Sequence, residues 1–288
     1  MQNYEKAQPI VEISISSREY PAEWRELSDA PPVLYAKGDI SLLKGRKFTV
    51  VGARRTPSPA LKLGVKIAKE LSQTVAIVTG TADGGDSAAI EGALSGGGKV
   101  ICVLAGGFSA LPQAKLNLLS EVAEKGLLIS PYPYDTEIRS FSYEYRNKLL
   151  AALGEGVLVL GAAEKSGALI TAKYAKAQEK PVFALPYFPG SAAGEGCNQL
   201  LKTGGILTEN TFDITSRMGI KTEEKTRAVE LTADEEKMLT ALKNLADSHV
   251  TELASVSGFP VFKAKMLLSA LEVKGLATAL GGNRYAPV

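Results

Sequence analysis

The sequence predicts an α/β protein: a doubly wound, Rossmann-like parallel sheet followed by a small C-terminal winged-helix domain. Three observations carry that prediction. From Lys47 to Leu185, short β-branched apolar runs alternate with longer segments of helical periodicity. The strand-like runs are apolar at nearly every position, the pattern of strands buried on both faces. After a polar break, residues 231–288 hold three short helical patterns and a glycine turn.

Taken in order, residues 1–44 read as a mixed lead-in, rich in proline and charge, with Pro31-Pro32-Val33-Leu34-Tyr35 as its landmark. The main domain, 45–215, then opens. Phe48–Val51 is a strand, and Ala60–Leu71 a helix with apolar residues at 61, 65, 68 and 71. Ala76–Val78, Val100–Leu104, Leu127–Ile129, Val157–Leu160 and Val182–Leu185 are further strands. Ser87–Leu94, Leu116–Glu124, Tyr145–Leu153 and Leu169–Ala177 are the helices between them. Residues 216–230 lack an apolar face and read as a linker. In 231–288, acidic residues after Thr232 suit the first turn of a helix. Val250–Ser257 closes at Gly258, a third helix runs from Pro260 to about Lys274, and Gly281-Gly282-Asn283 turns a terminal hairpin. Three helices and a hairpin are the outline of a winged helix.

Composition narrows the function. Lys and Arg number 33 against 31 Asp and Glu, a formal charge of +2. That balance excludes a polycation coating nucleic acid or acidic membrane and leaves room for a local basic site. A single histidine, His249, rules out histidine-clustered metal sites and argues against a Ser-His-Asp triad. Cys102 and Cys197 are far apart with no CxxC, which suits a reducing compartment. With no signal peptide and no apolar run long enough to span a bilayer, the expectation is a cytoplasmic protein without membrane contact.

In an open parallel sheet, ligands bind beyond the carboxyl ends of the strands. Here those ends carry Gly52-Ala53-Arg54-Arg55, Thr79-Gly80-Thr81-Ala82-Asp83-Gly84, Gly106-Gly107 and Lys165-Ser166-Gly167. Glycines admit a close anion, and helix N-termini aim amides at it. Four such loops on one sheet edge point to a phosphate-bearing ligand. Neither G-x-G-x-x-G nor a Walker A sequence is present, so no bound cofactor and no metal are expected. Between Tyr132 and Tyr145, five aromatics (Tyr132, Tyr134, Phe141, Tyr143, Tyr145) interleave with Arg139, and Arg146 and Lys148 follow directly. Aromatics beside cations suit single-stranded nucleic acid; the same tyrosines could equally pad a loop against the sheet.

These residues together resemble the DprA/Smf family of bacterial DNA-processing proteins. The family's V-G-[ST]-R is similar to Val51-Gly52-Ala53-Arg54, followed by Pro57-Ser58, and its S-G-x-A-x-G-x-D resembles Thr79 to Asp86. V-L-A-G-G matches Val103 to Gly107, F-x-x-R-N-R resembles Phe141 to Lys148, and S-G-[SA]-L-I-T-A is Ser166 to Ala172 letter for letter. The Gly196–Gly205 stretch and the tail, with Leu271–Leu276 and the Gly281-Gly282-x-x-Tyr285 wing, continue the likeness. It departs at Asp83, where the family has Arg, and at Ala89-Ile90, where it has Ala-His. About forty residues of lead-in do not hold the SAM-type helical domain that many members carry. The resemblance implies a homodimer that binds single-stranded DNA, is not an enzyme, and hands the strand to RecA in transformation.

Candidate DNA or phosphate contacts are then Gly52, Arg54, Arg55, Thr79, Gly80, Gly84, Gly106, Gly107, Phe141, Arg146, Asn147, Lys148, Ser166, Gly167, Thr171 and Lys173. Each has a plainer alternative. Arg54 could pair with Asp86; Arg146 and Lys148 could be a solvated helix face; Asn147 could cap a helix. Thr171 could bond its own helix backbone, and Asp86 reads as the N-cap of the helix from Ser87. His249 reads as structural. In 231–288 six cations meet six anions, so that domain reads as a protein-contact or dimer-supporting element rather than a DNA reader. A rival for the whole chain is a nucleotide phosphoribohydrolase of the same superfamily. Its P-G-G-x-G-T-x-x-E string has no counterpart at Glu164–Ala168.

Overall fold

The computed structural model describes residues 9–220 and 231–287. The chain forms two compact units, Met1–Thr222 and Glu223–Val288.

In the first unit the chain runs β1 (Val11–Ser14), α1 (Ala22–Arg25), β2 (Val33–Gly38), β3 (Lys47–Val51), α2 (Ser58–Leu71) and β4 (Ala76–Thr79). It continues through α3 (Gly85–Ser95), β5 (Val100–Val103), α4 (Leu116–Lys125), β6 (Leu127–Ser130) and α5 (Ser140–Leu153). Then come β7 (Val157–Val159), α6 (Gly167–Ala177), β8 (Val182–Ala184), α7 (Glu195–Lys202), β9 (Ile206–Leu207) and α8 (Thr211–Met218). The strands build one nine-stranded sheet in the order β1-β2-β6-β5-β4-β3-β7-β8-β9. From β6 to β9 every pair is parallel; β2 joins β6, and β1 joins β2, antiparallel.

Alternating strand residues feed two cores, as the period of two requires. Val51, Val78 and Val159 pack with α1, α5 and α6, including Trp24, Leu149 and Ala172. Phe48, Val50, Ile77 and Leu158 pack on the other face with α2, α3 and α4, including Ile67, Ile90 and Val122. Both faces are thus covered, and the doubly wound parallel sheet expected from the sequence is present. The order reverses at β3, which has β4 on one side and β7 on the other. That switch point is where a crevice opens.

Within the lead-in expected over 1–44, the described residues 9–44 carry regular structure. Val11–Ser14 and Val33–Gly38 extend the sheet, and the Trp24 indole donates to the Leu149 carbonyl at 2.9 Å from full burial. Helix α5 starts five residues earlier than its apolar pattern indicated, where the Ser142 hydroxyl accepts from the Arg139 amide at 3.3 Å. The expected linker 216–230 begins inside α8, which Gly219 closes in the left-handed region, while 221–230 lies outside the described residues.

The second unit comprises α9 (Ala233–Leu245), β10 (Ser248–His249), α10 (Val250–Ser257), α11 (Val261–Val273), β11 (Ala277–Gly281) and β12 (Arg284–Pro287). The strands pair antiparallel in the order β10-β12-β11. Met238, Leu242, Leu253, Leu268 and Leu271 form its core. Thr232 and Glu235 cap α9 reciprocally, and Lys274 donates to Glu235 at 2.7 Å, holding that carboxyl below the usual glutamate range. This arrangement is consistent with a winged helix.

Candidate nucleic-acid interface

At the switch point, a cleft of about 300 Å³ opens between the carboxyl ends of β3 and β7. Its floor and walls come from the β3–α2 loop (Gly52, Ala53, Arg54), the β4–α3 loop (Ala82, Asp86), α5 (Tyr143, Arg146, Asn147) and the start of α6 (Ser166, Gly167, Ala168, Thr171). The loops close tightly because two glycines meet: a Cβ on Gly85 would lie 2.3 Å from the Gly52 Cα. Ser166 caps α6, accepting from the Ala168 amide at 3.3 Å.

Beneath the cleft runs a continuous polar chain. The buried Asp86 carboxylate accepts the Ala82 amide at 3.1 Å and the Gly52 amide, and faces Arg146 Nη1 at 3.6 Å. Arg146 Nε donates to Asn147 Oδ1 at 3.0 Å, and Asn147 Nδ2 donates to the Gly167 carbonyl at 3.1 Å. The β3–α2 and β4–α3 loops are therefore tied to α5 through one ion pair, and the start of α6 through Asn147. Gly80 makes room for it, since a Cβ there would sit 1.6 Å from Arg146 Nη1. Burial pushes the Asp86 carboxyl above the usual aspartate range, against the pull of Arg146 and the two amides.

This geometry decides several alternatives left open by the sequence. Asp86 does not cap α3: the helix begins at Gly85, and the carboxylate turns back to the loop before it. Its ionic partner is Arg146, not Arg54. Arg146 is buried rather than on a solvated face, and Asn147 joins Arg146 to the start of α6 instead of capping a helix. Lys148 pairs with Asp29 at 2.5 Å. Thr171 does not bond its own helix; its hydroxyl is buried beside the cleft without a partner, as is that of Thr79 below the sheet edge. Arg54 and Arg55 are exposed, Arg54 with its guanidinium 5.9 Å from the Tyr143 ring, and Lys173 is exposed on α6. Phe141 is exposed at the start of α5. His249 caps α10, accepting from the Thr251 amide.

Of the sequence candidates, Gly52, Arg54, Arg146, Asn147, Ser166, Gly167 and Thr171 meet at the cleft. Gly106 and Gly107 do not line it. They receive the 132–138 loop instead, the Gly107 amide donating to the Thr136 carbonyl at 2.8 Å. Gly84, at φ +74°, packs its backbone against the Ala53 carbonyl. Lys115 was not singled out from the sequence. Its ammonium reaches Asp83 Oδ1 at 2.9 Å and donates to the Thr81 carbonyl at 2.8 Å, returning a cation to the loop where Asp83 stands. That hydrogen bond, aided by the Arg54 charge, holds Asp83 below the usual aspartate range. A lysine in a polar turn far along the chain gave no local signal. Among the described residues, no group of three or more His, Cys, Asp or Glu is placed to hold a metal ion.

A doubly wound sheet with a cleft at its switch point, lined by loop glycines and the start of α6, defines a protein of Rossmann-like build. Residues 12–219 match the family model described as DNA recombination-mediator protein A, and the chain belongs to that family. The DNA processing protein DprA of Bacillus subtilis is 38% identical over 184 residues, covering 63% of this chain and 62% of its own length. DprA of Streptococcus pneumoniae is 34% identical over 196 residues, covering 68% of this chain and 70% of its own. An X-ray structure of the Streptococcus pneumoniae protein superposes with a TM-score of 0.69 at 32% identity, over 75% of each chain. A Helicobacter pylori structure, described as giving insight into a single-stranded DNA binding mode, superposes with a TM-score of 0.67 at 28% identity, over 76% of this chain and 99% of that one. The chain thus spans less than two thirds of the length of the Bacillus relative.

Proposed function

We propose that this protein binds single-stranded DNA at the β3/β7 cleft, protects it and delivers it to RecA during transformation or recombination. The observation that carries the reading is the cleft itself: loop glycines, a helix start and a partnerless buried hydroxyl, rimmed by exposed Arg54 and Tyr143. Arg54 and Arg55 meet phosphates, and Phe141 and Tyr143 stack bases. Lys173 adds a phosphate contact from α6, and Lys148 one from α5 on release of Asp29. Arg146 and Asn147 act from below by holding the loops. A recombination-mediator family and a relative studied for its single-stranded DNA binding both favour this reading. We place the protein in the cytoplasm, in keeping with two buried free thiols. Among the described residues, no helix is long and apolar enough to cross a membrane. A homodimer is supported by the open sheet edge at β9, where Leu207 is exposed, and by exposed Phe212 on α8.

We read the protein as a binding protein rather than an enzyme: the carboxylate that lines the cleft, Asp86, is buried and engaged by Arg146 and the Ala82 amide. Fluorescence anisotropy with labelled oligonucleotides across a salt series tests the reading. Binding that weakens with salt and prefers single strands is expected; no binding, or none that salt affects, refutes it. Release of free base from nucleoside monophosphates would instead establish the phosphoribohydrolase rival.

A further inference from the structure

Helix α11 carries two opposed apolar faces. Ala264, Leu268 and Leu271 point into the core of the second unit. On the other side Phe262, Met266 and Val273 are 69%, 68% and 90% exposed, with exposed Ser269 between the last two. The spacing 262, 266, 269, 273 alternates four and three, the seam of a helix pair. Large apolar side chains lined up this way on a charge-balanced unit mark a contact surface.

We propose that this stripe docks against α11 of a second copy of the chain, with the two helices antiparallel. The charges flanking the seam select that occupant and that direction. Lys265 and Glu272 lie on one flank, seven residues apart, both exposed. A two-fold axis between Leu267 and Leu268 sets Phe262 against the other copy's Val273 and Met266 against its Ser269. The same axis brings each Lys265 beside the other copy's Glu272, so the patch is complementary to itself. Parallel pairing would set Lys265 near Lys263 and Ala270 of the other copy, with no favourable charge. Duplex DNA fits less well, because phosphate would meet an apolar stripe flanked by Lys265 and by a Lys263 that Asp234 already pairs at 2.7 Å. A single 13-residue helix buries too little for a tight dimer, so the contact is transient and concentration-dependent.

The test is disulfide trapping in the full chain, where Cys102 and Cys197 are buried. Met266→Cys and Ser269→Cys chains, mixed under diamide, should cross-link at least tenfold faster than either chain alone. Lys265→Glu in both should slow trapping about tenfold, and adding Glu272→Lys should restore it. All positions are exposed, and circular dichroism verifies that each variant folds. Absence of cross-linking in the mixture overturns the proposal, and so does Met266→Cys trapping with itself as fast as the mixture. Failure of the charge swap to restore the rate also overturns it. Duplex oligonucleotide that blocks trapping and no longer binds a Met266→Glu chain would assign the face to DNA instead.

Discussion

Replacing Arg146 by methionine removes the charge at the centre of the cleft's foundation while keeping most of the side-chain volume. Its partner Asp86 is 3% exposed and would be left as a buried carboxylate facing only two amides. Breaking a buried pair in this way costs about 3–5 kcal/mol at neutral pH. The cost has a ceiling, because the carboxylate can take up a proton. Asp86 already titrates above its unfolded value of 3.8 through burial, and losing the Arg146 charge raises it further. A group whose folded pKa is raised contributes stability below its unfolded pKa and loses it as pH climbs through the folded one. The Arg146→Met deficit is therefore largest at pH 7 and shrinks on acidification, by at most about 1.4 kcal/mol per pH unit. Adding Asp86→Asn keeps an acceptor for the Ala82 and Gly52 amides and should recover most of the loss. Trp24, the one tryptophan, is buried in the first unit, so its fluorescence follows that unit during urea unfolding. A deficit below about 1 kcal/mol at pH 7, or one that is unchanged at pH 5, refutes the account of Arg146 as a buried strut.

Three further outcomes bear on the cleft. Arg54→Ala should leave the urea midpoint unchanged and lower the salt slope of single-strand binding by roughly 0.7, the loss of one phosphate contact; an unchanged slope removes Arg54 from the interface. Thr171→Val removes a buried hydroxyl that has no partner, so thermal stability should hold or rise, while oligonucleotide affinity falls about fivefold if that hydroxyl meets phosphate. Equal affinity for both chains would show that the ligand stops short of α6. Asp83→Asn releases Lys115 and relieves a negative charge near Arg54, so single-strand affinity should rise severalfold at low salt and converge with the parent at high salt; a fall would show that the acid supports the loop.

The central sheet was readable because parallel strands covered on both faces leave unbroken apolar runs, as in Val100–Val103. The outer strands left weaker traces. Along β1 only Ile13 is buried, so Val11–Ser14 carries one core residue and blends into its charged surroundings. The ligand loops were readable through their glycines and small polar residues, since close backbone approach restricts residue type at each position. What joins those loops was not. Asp86 and Arg146 stand sixty residues apart, and in their own segments one reads as a helix N-cap and the other as a phosphate contact or a solvated charge; only the fold brings them together. Gly80 likewise suggests an anion loop in sequence, whereas in the structure it clears space for a guanidinium.

The net charge of +2 gains a sharper meaning from this arrangement. Several cations close to the cleft are already matched: Arg146 by Asp86, Lys115 by Asp83, and Lys148 by Asp29. Arg54 at its mouth, Arg55 next to it in the chain and Lys173 on α6 are exposed cations without a carboxylate partner among the described residues. Three phosphate contacts, from Arg54, Arg55 and Lys173, give a salt slope near roughly −2.1 for a single strand. Any affinity beyond that comes from amides and stacked rings, which release no counterions and persist as salt rises. A measured slope much steeper than this would require the matched pairs to open on binding. In that case Lys115 and Lys148, whose acids Asp83 and Asp29 are the more exposed partners, would be the first to contribute. Arg146 would be the last, because withdrawing it strands a buried carboxylate. The slope of the Asp83→Asn chain relative to the parent separates the two regimes, since it steepens only if Lys115 is matched in the bound state of the parent.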